Sequence, residues 1–204
     1  MPDTIPDPVL RPPPHTVPVV FTRELLDWLP WVEPLAAEAL TARHMDALVD
    51  AARAKSAYFR LLARDPDALR ARTLTDKDIF YNQDGGAPRA ERELAAAATS
   101  RFNGCIYCAS VHARFAATYS KREDDVRRLL DEGVGADLGE RWNAIVAAAA
   151  ALSATPIAFG PAHVERLRRA GLDELAIADV IHAAAFFNWA NRLMLSLGEP
   201  ALAQ

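Results

Sequence analysis

Apolar positions recur along most of the chain at spacings of three, four and seven, the period of a helix that buries one face. From Thr41 to Ala63, Met45, Leu48, Val49, Ala52, Tyr58, Phe59 and Leu62 follow this rule and predict one long amphipathic helix. Just upstream, ELLDWLPWVEPL has helical patterning broken by Pro30 and Pro34. Asp65-Pro66 opens DPDALRARTLTDKDIFY with a cap and a first-turn proline, and YNQDGGAP then interrupts the helices. An alanine-rich helix is predicted from Pro88 to about Arg101, a break at Asn103-Gly104, and another helix from about Cys105 to Tyr119. DDVRRLLDEG, GERWNAIVAAAAALSATP and PAHVERLRRAG predict shorter helices, and LDELAIADVIHAAAFFNWANRLMLSLG a long closing one. No alternating run of five or more residues reads as a strand, so the expected class is all-α.

The first eighteen residues hold seven of the fourteen prolines, which predicts an extended arm over 1–20. Gly85-Gly86 divides the rest into a helical region over 21–86 and a helical core over 87–204. ELAAAATSRFNGC and ADVIHAAAFFNWANR echo each other faintly, in the manner of a duplicated helix pair.

Composition narrows the function classes. With 51% hydrophobic residues, the 204-residue chain can bury a real core without a disulfide framework. The net charge of -4 is scattered, which argues against a nucleic-acid partner. The longest apolar run, Ala144 to Leu152, falls far short of the roughly 20 residues that cross a bilayer. The expectation is a cytoplasmic protein with no membrane partner.

Candidate chemistry concentrates in NGCIYCASVH, residues 103–112, which holds both cysteines of the chain. On a helix Cys105 and Cys108 share a face, and His112 continues it. At a helix start the dipole and free N–H groups favour thiolate. Glu93 becomes relevant only through the break. On one unbroken helix it would lie about 18 Å from Cys105 along the axis, at about 1.5 Å per residue. A reversal at Asn103-Gly104 instead sets position 93 opposite position 112. A carboxylate facing an imidazole orients it as a base for a nearby thiol.

Rival readings stand beside this one. A glutamate in an alanine-rich helix is ordinarily solvated, and a lone histidine on an apolar face is ordinarily structural. Cys105, Cys108, His112 and Glu93 have the donor types of a metal site, but no second ligand pair accompanies them. A c-type haem needs histidine directly after the second cysteine, where Ala109 stands, and a thioredoxin-like CxxC would follow a strand. A non-enzymatic helical binding protein is a further reading, with Phe186, Phe187 and Trp189 or Trp28 and Trp31 as anchors. His182, within IADVIHAAAFF, is a candidate pocket residue or a buried structural one; Asn191 and Arg192 follow the aromatic cluster and are assigned no catalytic role, although an arginine near a buried site would suit a carboxylate.

The run ERELAAAATSRFNGCIYCASVH, with Glu93, Cys105, Cys108 and His112 at its key spacings, resembles the active-site motif of the AhpD-like alkylhydroperoxidases of the carboxymuconolactone decarboxylase superfamily. SRFNGCIYCASVHARFA resembles especially the peroxidase-related branch, and the resemblance extends from about Asp65 to the C-terminus. It implies an all-α AhpD-like fold with a CxxC helix hairpin, a homo-oligomer (trimer or hexamer), and a peroxidase without cofactor or metal. In that family's mechanism Cys108 attacks the peroxide and becomes a sulfenic acid. Cys105 condenses with it to a disulfide, Glu93 and His112 relay protons, and a dithiol partner reduces the product. Tyr107 stands where the best-known members carry another histidine, so it is a possible pocket residue. Decarboxylase members lack the redox CxxC, which disfavours lactone chemistry here.

Overall fold

The computed structural model describes residues 9–203. Most of the expected helices form: α3 Pro66–Tyr81, α4 Arg89–Asn103, α5 Ile106–Ser120, α6 Glu123–Glu132, α7 Glu140–Ser153, α8 Pro161–Arg169 and α9 Glu174–Leu197, preceded by the short α1 Ala42–Leu48 and α2 Ala57–Leu62. The described residues form an all-α fold with one two-stranded ribbon. No described helix is long and apolar enough to cross a membrane. The part of the expected arm before residue 9 lies outside the described residues.

At the centre is α4, whose residues from Glu91 to Ser100 are all buried. Alanines at 95–98 let α5, α7 and α9 approach it closely and cover it on several sides. Its buried charged side chains have polar partners, Arg92 Nε excepted. Glu91 accepts two hydrogen bonds from Arg141, at 2.6 and 2.8 Å, and Arg92 donates to the carbonyls of Ile79 and Asn82. The two echoing segments lie in α4 and α9, which pack against each other.

Two expectations need correction. The single helix over 41–63 is in fact three pieces, because Val49 takes φ 63°, outside the helical region, and the Asp50 carboxylate then accepts from Ala52 N–H to start a 3-10 turn, Ala51–Lys55. The segment read as broken helix near Pro30 contains β1, Leu26–Pro30, which pairs antiparallel with β2, Gly198–Leu202, at the other end of the chain. Gly198 is required there: a Cβ would strike the Leu29 carbonyl and the Trp28 ring. This ribbon joins the chain ends, and the 9–20 segment runs beside it, with hydrogen bonds Leu10 N–H to Trp31 O and Leu202 N–H to Thr16 O.

Candidate active site

The α4–α5 hairpin assembles the site. Gly104 closes α4 in the left-handed region at φ 80°, a conformation cheap only for glycine. Cys105 becomes the N-cap of α5, and Cys108 follows in its first turn. Both cysteines are free and buried, and the Cys105 thiol donates to the Cys108 sulfur across 2.7 Å.

The reversal brings Glu93 and His112 together. Glu93 Oε2 lies 2.6 Å from His112 Nδ1, and Oε1 accepts from Arg89 Nε at 3.1 Å. Glu93 is 1% exposed, so its charge depends on these two partners. A carboxylate already paired with arginine can only accept, which assigns the proton to Nδ1 and leaves Nε2 as the ring's free nitrogen. Phe187 packs edge-on against the imidazole at 3.9 Å between centroids, and Phe80 lies against it at 5.2 Å.

Cys108 and His112 open into a cavity of about 220 Å³ walled largely by aromatic rings, with Glu93 and Tyr107 also on its lining. Cys105 lines a second cavity of about 170 Å³, between Val17 and Pro18 of the N-terminal segment and Trp28. The two sulfurs thus touch each other but border different spaces. Tyr107 borders both, and burial pushes its phenol up, so the hydroxyl stays protonated and able to donate.

Electrostatics differ from the expectation for a helix start. Burial pushes the Cys108 thiol well above its ordinary range, and the adjoining Cys105 sulfur pushes the same way. Opposing this, the Asn191 side chain and the Arg72 charge both favour its thiolate. The site therefore holds a protonated thiol that needs a base.

His182 is the sequence candidate that the structure separates from this cavity. It is exposed, beside Asp78, Asn82 and Asp179. Five residues along α9 from Phe187 is a rotation of about 140° at about 100° per residue, which turns it to another face. Arg192 is exposed as well. Among the described residues, no group of three or more His, Cys, Asp or Glu side chains is arranged to hold a metal.

Sequence reasoning missed Asn191 and Arg72. Asn191 is completely buried; its amide donates to Ser100 Oγ at 3.0 Å, and its carbonyl accepts from Asn103 at 3.1 Å. Asparagine within the apolar face of α9 was the available signal. Arg72 carried none, because an arginine in RARTLTDKD reads as solvated.

Residues 66–151 match the carboxymuconolactone decarboxylase family. Among solved structures, an uncharacterized peroxidase-related protein with an alkylhydroperoxidase AhpD core, from Ralstonia eutropha JMP134, is 25% identical, with a TM-score of 0.67 over 80% of this chain and 87% of that one. Another peroxidase-related protein, from Silicibacter sp. TM1040, is 25% identical, with a TM-score of 0.61 over 69% and 74%. The debrominase Bmp8 shares the fold at 21% identity, with a TM-score of 0.61 over 80% and 88%. No curated protein matches the chain.

Proposed function

The chain belongs to the carboxymuconolactone decarboxylase superfamily, in its AhpD-like form, and from that premise we propose that it is a thiol-dependent peroxidase acting on hydrogen peroxide or organic hydroperoxides. The supporting observation is the convergence of a reduced cysteine pair and a Glu93–His112 pair on one aromatic-walled cavity. Each part supplies what the other lacks: the Cys108 thiol holds its proton, and His112 has a nitrogen free to take it.

In this reading His112 Nε2 accepts the Cys108 proton while Glu93 supports the resulting imidazolium. The thiolate attacks one peroxide oxygen, the O–O bond breaks, and the departing alkoxide recovers the proton from His112 as an alcohol. Cys108 is left as a sulfenic acid. The Cys105 sulfur then attacks Cys108, the S–O bond breaks, and hydroxide leaves as water with the Cys105 proton. A dithiol reductant closes the cycle by two thiol exchanges, taking both electrons' worth of oxidation into its own disulfide. Because Cys105 borders the second cavity, the reductant has an approach that does not require the peroxide's cavity to empty.

Thiol titration before and after one equivalent of cumene hydroperoxide tests the reading. Two thiols per chain are expected to disappear and to return with dithiothreitol. Cys105→Ser should stop at a sulfenic acid, trapped by dimedone, and Cys108→Ser should not consume peroxide above background. Wild-type consumption by Cys108→Ser would overturn the assignment of the attacking sulfur.

A further inference from the structure

The cavity beside Cys108 has a second polar element, outside the hairpin. Arg72, on α3, has a side chain only 7% exposed, and its guanidinium lies 5.4 Å from the Phe59 ring centroid and 5.2 Å from that of Phe186. Its Nε is buried with no hydrogen-bond partner among the described residues, as is the Tyr58 hydroxyl, and its Nη1 meets Asp76 Oδ2 at 3.3 Å as an ion pair without hydrogen-bond geometry. Arg72 and Tyr58 both line the cavity into which Cys108 opens. Buried donors without acceptors are uncommon because each costs its lost hydration, so the adjoining space is where an acceptor belongs.

The charge balance selects the acceptor. Asp76 Oδ2 lies 3.3 Å from both Arg53 and Arg72, so two guanidinium groups share one carboxylate and one positive charge is left over. Burial pushes the Tyr58 phenol up, which keeps it a neutral donor. A planar anion with two oxygens suits two guanidinium N–H groups and a hydroxyl. Phe80, Phe115 and Phe187 offer an apolar body the remaining wall.

We propose that the cavity takes an organic hydroperoxide carrying a carboxylate, which Arg72 and Tyr58 bind while the peroxide group meets Cys108. The carboxylate subsite stands on Arg72 and Tyr58 alone; the hydroperoxide group rests on the peroxidase reading above. The arginine that serves is Arg72, and not Arg192, which is exposed.

The test uses a matched pair on the full reduced chain, cumene hydroperoxide and its para-carboxylate, together with the unreactive 4-isopropylbenzoate and 4-isopropylbenzamide as binding probes. A charge-assisted contact predicts kcat/KM about 10-fold higher for the carboxylated hydroperoxide, and benzoate binding about 10-fold tighter than benzamide. Both preferences should fall to about 1 in Arg72→Gln, and the benzoate should bind about 3-fold more weakly to Tyr58→Phe, a variant that keeps its ring packing if Arg72→Gln fails to fold. Equal affinity for benzoate and benzamide in the wild type, or unchanged benzoate binding in Tyr58→Phe, overturns the subsite. Selective benzoate binding with neither hydroperoxide consumed supports the subsite and overturns the peroxidase reading.

Discussion

Arg89 holds the Glu93 oxygen that His112 leaves free, one helical turn earlier on α4 and 3.1 Å away. The guanidinium is itself stacked near Tyr81 and Tyr119, at 4.1 and 4.3 Å from their centroids. An almost wholly buried carboxylate is thereby fixed between a permanent cation and an imidazole, and its orientation is set from both sides.

Removing that cation should weaken both fold and chemistry. Arg89→Gln is expected to cost roughly 1–3 kcal/mol, since a charged hydrogen bond is lost while His112 still compensates part of the Glu93 charge. Urea midpoints of Arg89→Gln and Arg89→Lys check this, with Lys recovering part of the loss. An unchanged midpoint in Arg89→Gln would show that His112 alone sustains the carboxylate.

Glu93→Gln isolates the proton relay. The amide preserves volume and can still pair with His112, but it no longer stabilises an imidazolium. The rate of Cys108 sulfenic acid formation should fall by about 100-fold, the lower range for a disabled acid–base pair. Stopped-flow peroxide consumption at a fixed pH measures it, and a rate within 2-fold or so of wild type would remove Glu93 from the chemistry.

The raised Cys108 thiol makes a stability prediction with a definite sign. Above the ordinary thiol value of 9.0 the unfolded chain releases a proton that the folded chain retains. The contribution is complete below that value and is lost as pH climbs toward the folded-state value. Reduced wild type should therefore lose stability as pH rises past about 9, and Cys108→Ser should show a shallower slope. Parallel slopes in urea unfolding would contradict the buried, protonated thiol.

Local signals carried much of this site. Two periodic helices separated by Asn103-Gly104 were enough to predict the hairpin, and the hairpin was enough to set Glu93 against His112. What stayed hidden depends on distant partners. Leu26 and Trp28 are buried and Asp27 between them exposed, but that alternation is cut short at Pro30 and its strand partner begins at Gly198. Arg72 lies between the rings of Phe59, on the preceding helix, and Phe186, which is far along the chain on α9. The left-handed Val49 has no sequence signal at all, since β-branched residues disfavour that region.

Asn191 offers the sharpest check on how the scaffold tunes the sulfur. Its side chain is wholly buried, donates to Ser100, accepts from Asn103 and favours the Cys108 thiolate, so α9 and the end of α4 meet at one amide that also acts on the sulfur. Asn191→Leu has similar volume but strands those partners, and should cost roughly 1–3 kcal/mol. Its effect on the sulfur is separable from this loss. The Asn191 amide favours the thiolate, so removing it pushes the already raised Cys108 thiol higher. Iodoacetamide alkylation of Cys108 in a Cys105→Ser background should then slow, with its pH profile shifted toward alkali. A variant that merely loosened the fold would expose the thiol and speed alkylation, so the direction of change decides whether Asn191 tunes the sulfur or only supports the helices around it.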